Sequence, residues 1–291
     1  MSRSIADAIA SGLEALAGMQ AADGAFPLWT GTNRWTRCGR LFATAYVMMG
    51  AGKLLPAGNI TRAMGFIRGQ RRNDGLWEYD AAIRIPPDAD STACSLAALA
   101  SCGEATDLAG GSALLRAFWR APDGPFRTWN ARGMWSLPER DDPVVNCNVL
   151  FALHLLGSPA TEAETASVRR LIARAVQGSR YYLSPATTAH AARRAGLDLQ
   201  GLPPMLTAPP SRDDLLGVLR YLCAATRPDV SLLQVVIDAQ RSDGAWPIVP
   251  WVTAAETPRP FWGSPAVTTA LAIEALRRHA EPTDQTDPRC R

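Results

Sequence analysis

The sequence lacks any basic run longer than a few residues, and its 30 Lys+Arg against 27 Asp+Glu leave a net charge of only +3 over 291 residues. Nothing in it forms an electrostatic stripe for a phosphate backbone, so nucleic-acid binding is not expected. Long apolar runs are missing too: the longest, Leu41 to Gly52, ends at Lys53 and falls short of the ~20 residues needed to span hydrocarbon. Met1 to Gln20 has no uninterrupted apolar block, because Asp7 and Glu14 fall inside an amphipathic pattern; this argues against a signal peptide and for a cytoplasmic protein. The six cysteines include no C-x-x-C pair and no regular spacing, which argues against a disulfide frame or a zinc knuckle. They read as small buried hydrophobes, except Cys290 in a polar tail.

Prolines and glycines, 22 and 23 of them, divide the chain into segments with apolar residues at three- and four-residue spacing, the period of helices. One set carries strong polar faces: Ser4 to Gln20, Ile60 to Gln70, Ser112 to Trp119, Glu162 to Gln177 and Ser231 to Gln240. The other is small and apolar nearly all round: Leu41 to Gly50, Thr92 to Cys102, Asn148 to Gly157, Pro185 to Gly196 and Pro265 to Arg278. Arg212 to Ala225 fits either set. A helix apolar on every side must be covered on every side.

A repeated phrase, Q-x(2,3)-D-G-x-[WF], closes the polar-faced helices. It stands at Gln20 to Phe26, Gln70 to Trp77 and Gln240 to Trp246, with a degenerate copy at Pro122 to Phe126. The Asp-Gly pair makes a turn needing positive φ, the Gln is placed to cap the preceding helix, and the aromatic to wedge between helices. Polar-faced and apolar helices in alternation are satisfied by two concentric rings. The expected fold is therefore all-α, an (α/α) barrel of eleven or twelve helices over residues 1–280 as one domain, with a flexible tail at 281–291.

These repeats resemble the QW-type repeats of the terpene cyclase and protein prenyltransferase superfamily. Ile85-Pro86-Pro87-Asp88-Ala89-Asp90-Ser91-Thr92-Ala93 is similar to the D-x-D-D-T-A motif of class II terpene cyclases. The resemblance implies that Asp90, aligned with the middle carboxyl, is the Brønsted acid that protonates a terminal alkene or epoxide. The family's last Asp is Ser91 here. The oxidosqualene cyclase branch also loses that carboxylate, which points to an epoxidised or otherwise activated chain.

The chemistry has its own logic. Olefin protonation needs a carboxyl kept neutral near pH 7, and burial together with a neighbouring carboxylate raises one pKa of a pair. Asp88 would supply the neighbouring charge, and the Ser91 hydroxyl would stabilise Asp90 once its proton has left. The same run also reads as a helix N-cap, since Asp, Ser and Thr are preferred there, and both readings stand at this point.

Other inner-helix starts bring Trp35, Asn146, Asn148, Tyr181, Tyr182 and Trp262 to the same mouth of the barrel. Aromatic faces stabilise cations without offering a nucleophile, and Asn146 or Asn148 would bond the acid pair or hold a water. Each also reads as ordinary packing or capping. His154 or His190 would assist the acid, as an alternative to sitting as satisfied histidines between helices. Asp141 and Asp142 read as a solvated turn, because the D-D-x-x-D pattern of ionising synthases is absent. No Asp-x-Cys occurs, so zinc catalysis of the prenyltransferase kind is not expected.

The expected function is cyclisation of a linear isoprenoid or meroterpenoid by a class II-type terpene cyclase. No cofactor is expected, Mg²⁺ entering only with a diphosphate substrate. The partner is a hydrophobic small molecule. A non-catalytic lipid- or partner-binding toroid is the alternative, and a prenyl-transferring enzyme with Arg34, Arg37 and Arg40 at a diphosphate ranks third.

Overall fold

A computed structural model describes residues 3–31, 35–79, 86–103, 110–122, 124–129, 141–175, 178–253 and 260–280. Arg34, Ile85, Asp123, Gln177, Cys290 and the expected tail at 281–291 lie outside the described residues.

Twelve α-helices are formed among the described residues. The even-numbered ones are α2 (Leu41–Ala51), α4 (Ala89–Ser101), α6 (Pro143–Leu155), α8 (Ala186–Arg194), α10 (Leu215–Ala224) and α12 (Pro265–Ala280). They pack in cyclic order, each on the next, and α12 returns to α2. Their small apolar residues are buried on nearly every side. The odd-numbered helices are α1 (Ile5–Gly18), α3 (Ala57–Gly69), α5 (Gly111–Arg116), α7 (Glu162–Arg174), α9 (Pro204–Thr207) and α11 (Val230–Asp238). Each packs on one or two even-numbered helices and buries only one stripe. The single turn α9 has no counterpart in the periodicity, because four residues are too few to show one.

The repeated phrase is a packing unit. Phe26, Trp77 and Trp246 are fully buried. Their backbone N–H groups donate to the hydroxyls of Thr44, Thr92 and Thr269 on the following even-numbered helix. In the degenerate copy Phe126 N–H donates instead to Asn146 Oδ1 at 2.8 Å. Gln70 is the C-cap of α3, as expected; the side chains of Gln20 and Gln240 instead donate to the carbonyl of their own turn glycine, Gly24 or Gly244. Gly24 has φ +93°, and a Cβ there would run into the Arg62 carbonyl, so the turn admits no other residue without strain.

The all-α expectation needs correction. A four-stranded antiparallel sheet, in the order β2-β1-β4-β3, is built from β1 (Leu28–Gly31), β2 (Thr36–Cys38), β3 (Pro250–Thr253) and β4 (Phe261–Gly263). Trp29 pairs with Gly263 and Thr30 with Trp262, so the sheet ties the segment before α2 to the segment before α12. Strands of three or four residues carry too little alternation to be read from sequence. Segment 181–183 adds to the sheet's edge: Thr253 N–H donates to Tyr181 O at 2.8 Å and Leu183 N–H to Trp251 O at 3.0 Å. This pairing brings Tyr182 and Trp251 over the N-terminal ends of the even-numbered helices.

Candidate active site

Asp88 and Asp90 divide the two roles open to their motif. Asp88 is the N-cap of α4, extended at φ −132° and ψ 162°, and its Oδ1 accepts the Ser91 N–H at 2.7 Å. Asp90 lies inside the first turn and makes no cap. Its carboxyl, only 7% exposed, faces across to α6 and to the segment before α8. Oδ1 accepts from Asn148 Nδ2 at 2.7 Å, and Oδ2 accepts from the Tyr182 hydroxyl at 2.6 Å. The Cys94 thiol, one turn along α4, stands 3.7 Å from Oδ1.

Both carboxyls are hard to ionise. Burial and then the Asp90 charge push Asp88 up to about 7. Burial pushes Asp90 up to about 6, against the downward pull of the Tyr182 and Asn148 hydrogen bonds and with a further upward push from Asp142. Burial raises both, Asp88 further than Asp90, so the surroundings of Asp88 do not favour the neighbouring charge expected of it.

Aromatic rings cluster with Tyr182, the hydroxyl donor to Asp90. Trp251 stacks on Phe42 at 5.4 Å between centroids, and stands 4.6 Å from Tyr46 and 6.2 Å from Tyr182. Tyr79 continues the cluster from Phe42, at 4.9 Å, to Trp262, at 5.9 Å. Beyond Asn148 lies a polar cluster, buried at His190 and Arg220 and part-buried at Arg194 and Glu274. Arg194 Nη2 donates to Asn148 Oδ1 at 2.7 Å, Arg220 Nη1 meets His190 Nδ1 at 2.9 Å, and His190 Nε2 meets Glu274 Oε1 at 2.8 Å. The guanidinium carbons of Arg194 and Arg220 each lie 5.5 Å from the Tyr46 ring centroid.

His190, Cys223 and Glu274 each bring one ligand atom within 4.8 Å of the others. The group does not suit a cation. Two guanidinium groups adjoin it, one of them bonded to His190, and burial holds the Cys223 thiol well above its ordinary value.

No family model and no curated protein matches the chain. Solved structures do. Apo type II terpene cyclase MstE from Scytonema aligns with TM-score 0.65 and 14% identity, covering 94% of this chain and 98% of that one. A variant of that cyclase in complex with geranylgeranyl dihydroxybenzoate (substrate) aligns with TM-score 0.65 and 15% identity, over 94% of this chain and 97% of that one. A protein from Actinoplanes aligns with TM-score 0.61 and 15% identity, over 96% of this chain and 100% of that one. The chain shares its fold with a type II terpene cyclase.

Of the residues singled out in the sequence, Asp88, Asp90, Asn148 and Tyr182 come together. Ser91 serves Asp88 rather than Asp90: its backbone N–H donates to Asp88 Oδ1, and its side chain helps hold the same carboxyl's pKa down. Asn146 is structural, because its amide is used up by the Phe126 backbone and the Asp142 carbonyl. Trp35 is 38% exposed at the surface beside Gly263. Tyr181 is half-buried, and its pairing with Thr253 is through the backbone. Trp262 stands at the far end of the aromatic cluster, and His154 is exposed near the end of α6. His190 is satisfied between Arg220 and Glu274 and makes no contact with the acid pair.

Asp142 is no solvated turn. It is the buried N-cap of α6, and its second oxygen accepts from Ser179 and Arg180. Arg40 pairs with Asp23 at the surface and Arg37 is exposed, so neither faces the acid pair.

Tyr46, Arg194, Arg220, Glu274 and Trp251 escaped the sequence reading. For Glu274 a signal existed: it interrupts Pro265 to Arg278, a segment that otherwise reads as covered on all sides, where an ion must find a partner.

Proposed function

We propose that this protein is a protonation-initiated terpene cyclase, acting on a linear isoprenoid or meroterpenoid with Asp90 as general acid. The observation that carries the reading is the Asp90 carboxyl itself: buried, pushed up to about 6, and bonded on both oxygens by donors that stabilise its conjugate base. The cyclic packing of the six even-numbered helices supports reading the fold as an (α/α) barrel whose repeats are of the QW type.

In the reaction, the Asp90 proton adds to the terminal alkene carbon, or to an epoxide oxygen whose C–O bond then opens. The adjacent carbon becomes a cation. The next alkene's electron pair closes a ring, and proton loss from carbon ends the sequence, so substrate and product are isomers. Asp90 regains its proton from solvent. Phe42, Tyr46, Tyr182 and Trp251 offer ring faces to the cation. No cofactor takes part, and Mg²⁺ would enter only with a diphosphate substrate. A prenylated aromatic acid is a reasonable first substrate, given the geranylgeranyl dihydroxybenzoate bound by the similar cyclase variant.

The alternative, a non-catalytic toroid, expects Asp88 and Asp90 as exposed caps and a mouth filled by side chains; Asp88 is a cap, but both carboxyls are buried, which favours the acid reading. The test is incubation in heavy water with a panel of linear prenyl compounds, prenylated hydroxybenzoates and their terminal epoxides. An alkene substrate must yield an isomer carrying one carbon-bound deuterium, and an epoxide a cyclised alcohol. Asp90→Asn must lower turnover at least about 100-fold while the chain stays folded; normal turnover by that variant ends the reading.

A further inference from the structure

We propose that Arg194 is a positioning residue that acts through Asn148 to keep the proton of Asp90 available for donation. This rests on the reading of Asp90 as an acid, and its geometry is independent of any substrate.

A carboxamide beside a carboxyl can present either its NH₂ or its C=O. Presenting NH₂, it can only donate, so a proton on Asp90 must point elsewhere. Presenting C=O, it accepts that proton and holds it. Nothing in Asp90 or Asn148 alone selects between the two.

Arg194 does select. A guanidinium carries donors and no acceptor, so the group facing Arg194 Nη2 at 2.7 Å must be the amide oxygen of Asn148. The NH₂ is thereby turned to Asp90 Oδ1 at 2.7 Å, with Tyr182 OH at 3.3 Å. Asn148 is 1% exposed, so no solvent competes for either end of the amide. Arg194 is in turn held by ring faces, with its guanidinium carbon 5.5 Å from the Tyr46 centroid and 5.2 Å from that of Phe151. The remaining charged and titratable groups around Asp90 are Asp88 and Cys94 on α4, Tyr46 on α2, Asp142 on α6 and Tyr182 before α8. None of these contacts the Asn148 amide oxygen, so none substitutes for Arg194 in orienting it.

The decisive readout is the infrared C=O stretch of protonated Asp90, assigned by its loss in Asp90→Asn and followed against pH without substrate. In Arg194→Met the amide is free to turn and accept the proton. The band should then persist to higher pH by about one unit, and Arg194→Lys, also donor-only, should bring it back. In an Asn148→Leu background the Arg194→Met change should produce no further shift. An unshifted band in Arg194→Met, or shifts that add in the double variant, overturns the proposal.

If Arg194→Met does not fold, the wild type carries the test. The Asn148 side-chain NH₂ protons, assigned by their loss in Asn148→Leu, must move in NMR spectra as Asp90 titrates. An NH₂ signal indifferent to that titration overturns the proposal. Because no substrate is involved, normal turnover by Asp90→Asn would defeat the cyclase reading and leave this result standing, and the reverse also holds.

Discussion

Asn146 and Asn148 stand two residues apart on α6 and do opposite work. At this spacing on a helix their side chains point to different faces. Asn146 reaches outward to the backbone of Phe126, while Asn148 reaches inward to Asp90. Replacing each should therefore fail in a different way. Asn146→Ala strands a buried N–H and C=O of Phe126, and should cost about 1–3 kcal/mol of stability with kcat unchanged in the folded fraction. Asn148→Leu should lower kcat by roughly 10- to 100-fold, as expected for losing a hydrogen bond to a charged group. Urea denaturation and steady-state kinetics on both variants separate the two.

Tyr182 donates to the other oxygen of Asp90. Removing that donor in Tyr182→Phe weakens the conjugate base and should reduce kcat about tenfold or more, with KM little changed because the ring remains. Trp35→Ala and His154→Ala, both at exposed positions, should leave kcat within about twofold, in keeping with the small effects of surface substitutions. A loss of activity in either would mean that the site extends to the surface.

An acid must hold its proton to donate it. With Asp90 at about 6 and Asp88 at about 7, turnover should be flat at low pH and fall as pH rises through this range. A pH profile of kcat/KM reads this limb directly, and a profile rising toward pH 9 contradicts it.

The same shift has a cost in stability. A carboxyl whose folded pKa lies above its unfolded value of 3.8 keeps a proton that the unfolded chain has lost. Stability contributed by protonated Asp90 is present below about pH 4 and lost as pH rises through about 6. His190, held down to about 4 by burial and the nearby arginines, contributes the opposite slope below its ordinary value of 6.5. Comparing variants isolates the Asp90 part: Asp90→Asn should melt higher than the wild type at pH 8, and the difference should shrink toward pH 4. Calorimetry at the two pH values checks it.

Gly24 tests the repeat. Gly24→Ala forces a side chain into positive φ and against the Arg62 carbonyl, and should cost more than ~1 kcal/mol without altering the pH profile of turnover.

The sequence by itself determined the helical alternation, because apolar residues at helical spacing and helices apolar on every side are statements about burial that need no coordinates. It also determined the turns, because Asp-Gly before an aromatic has few conformations open to it, and the carboxyl pair at Asp88 and Asp90. Eleven of the helices follow from that pattern, while α9 and the strands are too short to carry one. Only the tertiary structure decided which polar residues meet. Asn146 and Asn148 look alike as neighbouring residues at a helix start, and nothing local tells that one completes a repeat and the other an acid's surroundings. Asn148 and Tyr182 are brought to Asp90, and Arg194 to Asn148, from elements distant in the chain. That convergence depends on the cyclic order of helices and on a strand edge carrying Tyr182, both long-range pairings that local periodicity does not encode.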